Sequence, residues 1–323
     1  MILIIAGEDD AHSVHVARYL KEKNVAFHFF DYGLFPQEID VSFFFKKGDS
    51  RVSVSFRSKQ IDFKDVSSVL YRRPKQPLIS YPKDLEAELY LKQECQAFLE
   101  SLPLLTSCEW VSNPTAVKIS SYKNYQLMVA SEIGMIVPNS LISNSPSDAF
   151  EFLTHEENEF FAVKAFTKPF TKENSEGKNL VTFTQRLSKT ALSERVNGVK
   201  PCPIIIQEYI EKLIELRITV VGEKCFACAI HSQNNEQTKI DWRKYNIPAT
   251  SHLQYELPNE VRDQCLVLVK KLGLKFGCID MIVTPENQYV FLEINPVGQW
   301  LWIEELTKLP ITEALVDLLV AVE

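Results

Sequence analysis

The chain has 323 residues, 46% of them hydrophobic and 24% charged, with a formal net charge of -7; this is ordinary for a soluble globular chain and leaves room for two or three lobes. The acidic balance argues against nucleic acid as the main partner, no apolar run is long enough for a membrane span, and MILII at the start is too short for a signal peptide and lacks a basic flank. Seven cysteines (95, 108, 202, 225, 228, 265 and 278) show no framework spacing, and Cys225 and Cys228 lie three apart in a strand-like run, on opposite faces, so core thiols in a reducing, cytoplasmic compartment are expected.

MILIIAG (1–7) reads as a buried strand, followed by a helix over about 11–23 with Val14, Ala17 and Leu20 on one face, and a second strand, VAFHFFDY (25–32). This βαβ opening resembles a nucleotide-binding half. Its first turn, GEDDAH, has a single glycine, so the dinucleotide fingerprint is absent, and no P-loop occurs anywhere. SSVLYRRP (67–74) is a strand ending in Tyr71, Arg72, Arg73 and then Lys75; it is either a solvated strand end or a docking point for an acidic or aromatic peptide. Helical patterning runs from about 83 to 101, and Asn113-Pro114 caps another helical start. A helix over about 120–132 carries Lys123 in its first turn and stops near Gly134. The loop 135–144 leads into a strand, and FFAVKAF (160–166) is a further strand. The polar stretch 167–201 reads as a lid with few glycines, of which Gly177 is one. PIIIQEYI (203–210), IELRITVV (214–221) and CFACAIHS (225–232) are strands. A polar segment, 233–251, precedes a helix over about 258–272. A hairpin of CIDMIV (278–283) and FLEINP (291–296) follows, then a C-terminal helix over about 310–322.

Four constellations carry chemistry. In the hairpin, pairing Thr284 with Tyr289 sets Asp280 directly opposite Glu293, with Asn295 on the same face. Two like charges so placed repel by roughly 3 kcal/mol at an effective dielectric of 20. A hard divalent cation such as magnesium removes that cost, and a shared proton is the alternative. Lys164 lies on an otherwise apolar face, where a bound phosphate would stabilise its charge, unless it snorkels from a strand edge. Gln207, Glu208, Tyr209 and Ile210 end a buried strand and can present backbone groups to a flat base. Glu215 and Arg217 share a face of the next strand, where they could take ribose hydroxyls and a phosphate or carboxylate, or form a surface ion pair. His231 depends on the turn at 222–224: a two-residue loop sets it opposite Ile214, off that face, and a three-residue loop opposite Glu215, on it.

The order Lys123, Lys164, QEYI, Glu-x-Arg, Asp280, FLEINP resembles the ATP-grasp superfamily over roughly 115–323. Within it, YRRP at 71–74, SQ at 232–233 with DWR at 241–243, and FLEINPVGQWLW at 291–302 resemble the graspetide synthetases, the ligases of microviridin-type peptide maturation. The resemblance implies an α/β fold with α+β lobes. It has an N-terminal βαβ pre-ATP-grasp domain (1–114), a central lobe with the lid (115–206) and a C-terminal lobe with the metal site (207–323) enclosing ATP. It implies that Lys123 and Lys164 contact ATP phosphates, Gln207 to Ile210 line the adenine and Glu215 holds the ribose. Asp280, Glu293 and Asn295 would hold Mg2+. Arg217, His231 and Lys164 are the implied catalytic groups, with Arg217 holding the incoming carboxylate and His231 taking a hydroxyl proton. The implied partner is a precursor peptide with a leader segment and a Thr/Ser- and Glu/Asp-rich core, contacted by the lobe edge after Lys168 and by 233–251. A homodimer is the expected assembly. Two other readings stay open: a RimK-like ligase that adds an amino acid to a peptide or protein, and an ATP-binding peptide-recognition scaffold without chemistry.

Overall fold

The computed structural model describes residues 1–56, 59–79, 84–166, 171–173, 179–181, 184–234 and 250–321. The DWR segment at 241–243, Gly177 and much of the expected lid and leader contacts lie outside the described residues.

The first apolar run forms β1 (Ile2–Ile5), every residue of it buried, as a strand covered on both faces requires. Asp10 caps α1 (Ala11–Glu22), accepting the Ser13 N–H at 2.8 Å. Val14 does not join the apolar face; it is exposed, while Ser13, Val16, Ala17 and Leu20 form the buried stripe at helical spacing. After β2 (Phe27–Phe29) comes a meander absent from the sequence reading: β3 (Ile39–Lys46), β4 (Asp49–Phe56) and β5 (Lys59–Asp62). Gly48, with φ +77°, makes the tight first turn. β6 (Ser68–Tyr71), α2 (Leu85–Ser101) and β7 (Glu109–Val111) complete a parallel sheet in the order β2-β1-β6-β7.

Two short helices follow: α3 (Pro114–Ser120), which starts where Asn113-Pro114 signals it, and α4 (Lys123–Glu132), the helix expected near 120–132, with Lys123 as its first residue. Asn113 caps the first, and Gly134 at φ +82° ends the second. β8 (Ser140–Ser143), α5 (Pro146–His155), β9 (Phe160–Ala165), β10 (Thr171–Glu173), β11 (Asn179–Val181), β12 (Gln185–Ser188), α6 (Lys189–Glu194) and β13 (Ile204–Glu208) build the central lobe. Its antiparallel sheet runs β12-β9-β13-β8, with Phe161 and Ile206 buried against Leu153 of α5 and Leu192 of α6. Alternation therefore sets Ala162, Lys164, Arg186 and Gln207 on the other face.

β14 (Ile214–Val221), β15 (Lys224–Ile230), β16 (His252–Tyr255), α7 (Asn259–Lys271), β17 (Phe276–Val283) and β18 (Tyr289–Asn295) make an antiparallel sheet in the order β16-β15-β14-β17-β18. Leu216, Ile218, Ile279, Phe291 and Ile294 bury one face with Leu268 of α7 and Val129 of α4. α8 (Leu301–Thr307) and α9 (Ile311–Val320) then carry the chain back over the other face. There a single core joins Ile4 and Leu70 of the first sheet, Leu20 of α1, Phe276 and Cys278 of β17, Trp300, and Leu315 and Leu319 of α9. Among the described residues no helix is long and apolar enough to cross a membrane.

Candidate active site

The hairpin of β17 and β18 sets Asp280 opposite Glu293 and Cys278 opposite Asn295. The facing pair is as expected; the turn that produces it is not. Val283, not Thr284, pairs with Tyr289, and the register shifts by one residue between Asp280 and Met281, leaving Leu292 as a bulge. Thr284 instead organises the turn: its N–H donates to the Gln288 carbonyl at 2.9 Å, and Asn287 turns with φ +61°. The bulge has a packing reason. It rotates β18 so that Phe291 and Ile294 both enter the core while Glu293 and Asn295 share the opposite face.

Each carboxylate has a cation from a different element. Arg217, opposite Asp280 on the neighbouring strand, donates from Nη1 to both Asp280 oxygens at 2.9 and 3.0 Å. Lys123, at the first turn of α4, lies 3.2 Å from Glu293. The Asn295 side-chain oxygen accepts the Val297 N–H at 3.1 Å. Among the described residues no three His, Cys, Asp or Glu side chains gather as a metal cluster; the third oxygen donor here is an amide. Two half-buried carboxylates and that amide on one face form an all-oxygen donor set that fits magnesium.

β14 is the middle strand, and all eight of its residues are buried. Its polar and apolar positions therefore separate two covered faces, and Arg217 with Asp280 is a buried pair rather than a surface one. Burial opposes the Arg217 charge, but the Asp280 carboxylate outweighs it and holds the guanidinium pKa above its ordinary value. Its Nη2 donates to the Gln299 carbonyl at 3.3 Å, so the fork expected to clamp a substrate carboxylate is already engaged within the protein. Glu215 is buried, and one of its oxygens accepts from Lys212 at 2.8 Å and Ser232 at 2.7 Å. Burial raises its pKa, with Lys212 and Ser232 opposing the rise. Neither Lys212 nor Ser232 stood out as a site residue in the sequence. The β14–β15 turn has two residues, Val221 pairing with Lys224 and Gly222 at φ +57°. That register carries His231 opposite Ile214, off the Glu215–Arg217 face, and gives the general-base assignment no support.

On the central sheet Lys164 donates to the Gln207 side-chain oxygen at 2.7 Å, and Gln207 in turn donates to Ser140 at 2.8 Å. Sequence placed these two residues in separate motifs, and the β9–β13 pairing brings them to one face. Glu208 accepts the Asn139 N–H at 3.0 Å, and the Tyr209 N–H donates to the Phe160 carbonyl at 3.1 Å. Ile210 follows directly and is half-buried. The Arg186 guanidinium lies 3.5 Å from the Phe160 ring centre and 4.8 Å from that of Tyr209, a neighbour of the proposed base site with no sequence signal of its own.

Arg72 corrects the solvated reading of YRRP. It is 2% exposed and sits over Trp300, 5.1 Å from the ring centre, while Arg73 is exposed with φ +39°.

A family model of the MvdD pre-ATP-grasp domain matches residues 1–118, and one of the RimK-like ATP-grasp domain matches residues 119–319. No curated protein sequence matches. Among solved structures, the macrocyclase MdnC of Microcystis aeruginosa MRC, bound with precursor peptide MdnA, is 29% identical with a TM-score of 0.85, over 99% of each chain. A RiPP-associated ATP-grasp ligase of Chryseobacterium gregarium, in complex with ADP and a leader and core peptide, is 29% identical with a TM-score of 0.89, over 98% of this chain and 96% of that one. The macrocyclase MdnB of Microcystis aeruginosa MRC is 28% identical with a TM-score of 0.78, over 99% and 98%. With Lys164 on one antiparallel sheet, the carboxylate hairpin on another and Lys123 at the start of α4, and a family match over more than half its length, the chain belongs to the RimK-like ATP-grasp family, preceded by a pre-ATP-grasp domain of the MvdD kind.

Proposed function

We propose that the chain is an ADP-forming peptide ligase. It activates Asp or Glu side chains of a ribosomally made precursor peptide as acyl phosphates and joins them to Ser or Thr hydroxyls, or Lys amines, closing side-chain macrocycles. The observation that carries this reading is the facing pair Asp280 and Glu293, with Asn295 beside it and a separate cation on each acid. The MvdD-type domain and the likeness, over nearly the whole chain, to a peptide-bound macrocyclase and a peptide-bound RiPP-associated ligase support the substrate class.

Asp280, Glu293 and Asn295 would hold magnesium, which when bound offsets phosphate charge and polarises the transferring phosphoryl group. Lys123 and Lys164 would exchange contacts with Glu293 and Gln207 for phosphate oxygens, one charge-assisted contact for another. Gln207, Glu208, Tyr209 and Ile210 would line the base, and Glu215 would meet the ribose beside Lys212 and Ser232. Arg217 orients Asp280 and adds positive charge near the reacting groups. A substrate carboxylate oxygen attacks the γ-phosphorus, the bond to the bridging oxygen breaks, and ADP leaves. A hydroxyl oxygen then attacks the acyl carbon, and phosphate departs with the hydroxyl proton. His231 is not needed in this scheme. Each ring formed removes one water from the peptide.

Glu293→Gln tests the reading. The expected result is retained peptide binding with turnover lost, read by ADP release and peptide mass; full activity would remove the metal assignment. The RimK-like match keeps a second ligase reading in view, addition of an amino acid. That reaction increases the mass of the acceptor, whereas ring closure decreases it. Peptide and ATP binding with no ADP release and neither mass change would leave the scaffold reading.

A further inference from the structure

The loop after β18 is clamped from two sides. Arg217 reaches it from β14 through the Gln299 carbonyl, at 3.3 Å. From the N-terminal domain, Arg72 Nη1 and Arg73 Nε both donate to the Val297 carbonyl, the second at 3.2 Å. The peptide group that carries this carbonyl also carries the Gly298 N–H, which donates to the Asn295 backbone carbonyl at 3.1 Å. The Val297 N–H donates to the Asn295 side-chain oxygen at the same distance. Both polar ends of Asn295 are thus set by a loop that two N-terminal arginines hold.

Arg72 is held there at a cost. Among the described residues its Nε and Nη2 are buried without hydrogen-bond partners, and the Asp10 carboxylate lies 3.9 Å from Nε. Burying a guanidinium with unpaired donors is unfavourable, and a long apolar side chain would cover Trp300 without that penalty. What an apolar residue cannot supply is the donor to Val297. The neighbouring groups fit this role: the Trp300 ring meets His12 at 4.4 Å and is anchored through its N–H on Thr312 at 3.0 Å. The GEDDAH turn, which lacks a dinucleotide fingerprint, supplies Asp10 as both helix cap and counter-charge.

We propose that Arg72 is a positioning residue: from the N-terminal domain it sets the Val297–Gln299 loop, and through it the Asn295 amide and the Arg217–Asp280 pair, so that cation binding at the hairpin depends on that domain. The proposal rests on the ligase reading only through its cation site. The test uses the full chain, Mn2+ as a magnetic probe and a non-hydrolysable ATP analogue, with bound Mn2+ read from the loss of the aqueous resonance signal. Wild type is expected to bind Mn2+ with the analogue, and Glu293→Gln to lose it. Arg72→Met should weaken Mn2+ by about tenfold, the scale of losing an outer-shell partner of a metal ligand, with analogue affinity in the absence of metal unchanged. Arg72→Lys, which keeps one donor, should recover part of the loss. Arg72→Met with wild-type Mn2+ affinity, even at a lowered melting temperature, would overturn the proposal. Should that variant fail to fold, Arg73→Met removes the other donor at an exposed position and should weaken Mn2+ measurably, by less than the roughly tenfold expected of Arg72→Met; no change there would overturn it equally. Wild type failing to take Mn2+ would instead sink the cation site, and this proposal with it.

Discussion

Arg217→Met is the most direct probe of the hairpin, because it removes a buried charge and keeps most of the stem. At 2.9 Å from Asp280, and at an effective dielectric of 20, the attraction is about 6 kcal/mol before the desolvation of both groups is subtracted. Glu293 faces Asp280 from the next strand, and at about 5 Å on the same scale it repels by about 3 kcal/mol. Lys123, 3.2 Å from Glu293, offsets part of that. Without Arg217, Asp280 is a largely buried carboxylate facing a second one, and the expected cost is about 3–5 kcal/mol. Adding Asp280→Asn removes the stranded charge, so the double variant should be more stable than Arg217→Met alone. Urea midpoints for wild type, both single variants and the double complete the cycle, read by intrinsic tryptophan fluorescence, to which Trp300 and Trp302 near the loop contribute. A coupling of at least about 2 kcal/mol is expected, and all three variants should lose turnover. A single-variant cost under about 1 kcal/mol, or additive effects, would refute the argument that the pair is a buried, mutually dependent unit.

Gly298→Ala should disturb the same corner. An added Cβ would lie 2.4 Å from the Cys278 Cβ, 2.5 Å from its Sγ and 3.0 Å from Arg217 Nη2. The loop must move, at about 1–3 kcal/mol, and turnover should fall; Gly198→Ala, where a Cβ meets nothing within 4 Å among the described residues, is the neutral control for activity. His12 gives a pH signature. Burial, with the Arg72 charge beside it, pushes its pKa from 6.5 down to about 3. The unfolded chain therefore binds the additional proton between those values, so stability present at pH 7 is lost as the pH falls below 6.5. Linkage gives a loss of about 2 kcal/mol between pH 7 and pH 5. His12→Gln should flatten the urea midpoint across that range by this amount, and an unchanged slope would contradict the buried neutral imidazole.

The hairpin was legible in the sequence because its evidence is local. Two apolar strands separated by a turn fix which residues face one another to within a bulge, and Leu292 is where the uninterrupted pairing fails. No residue in FLEINP announces that bulge. It follows from burying both Phe291 and Ile294, three apart, on a face that strict alternation would deny to one of them. His231 shows the same dependence from the other side. The choice between a two- and a three-residue turn at Gly222 decides its face, and pattern alone does not select the turn. The β3–β4 hairpin has its own local signal, strand-forming residues on either side of Lys47-Gly48.

Arg72 was hidden for a different reason. Its burial is made by Val297 and Trp300, more than two hundred residues later in the chain, and nothing within YRRP distinguishes a solvated strand end from a covered one. The same long-range closure puts α9 against β6, where the Ser68 hydroxyl donates to the Leu319 carbonyl at 2.7 Å in a buried setting. The first sheet and the last helix thus share one core with the face of β17 that carries Cys278. A boundary near residue 114 separates segments of sequence, yet the core of Ile4, Leu70, Phe276 and Trp300 runs across it. Perturbing the N-terminal sheet should therefore be felt at Asn295 and Asp280 through packing and through Val297, so an isolated C-terminal half would lack both the cover of its sheet and the donors that hold its loop.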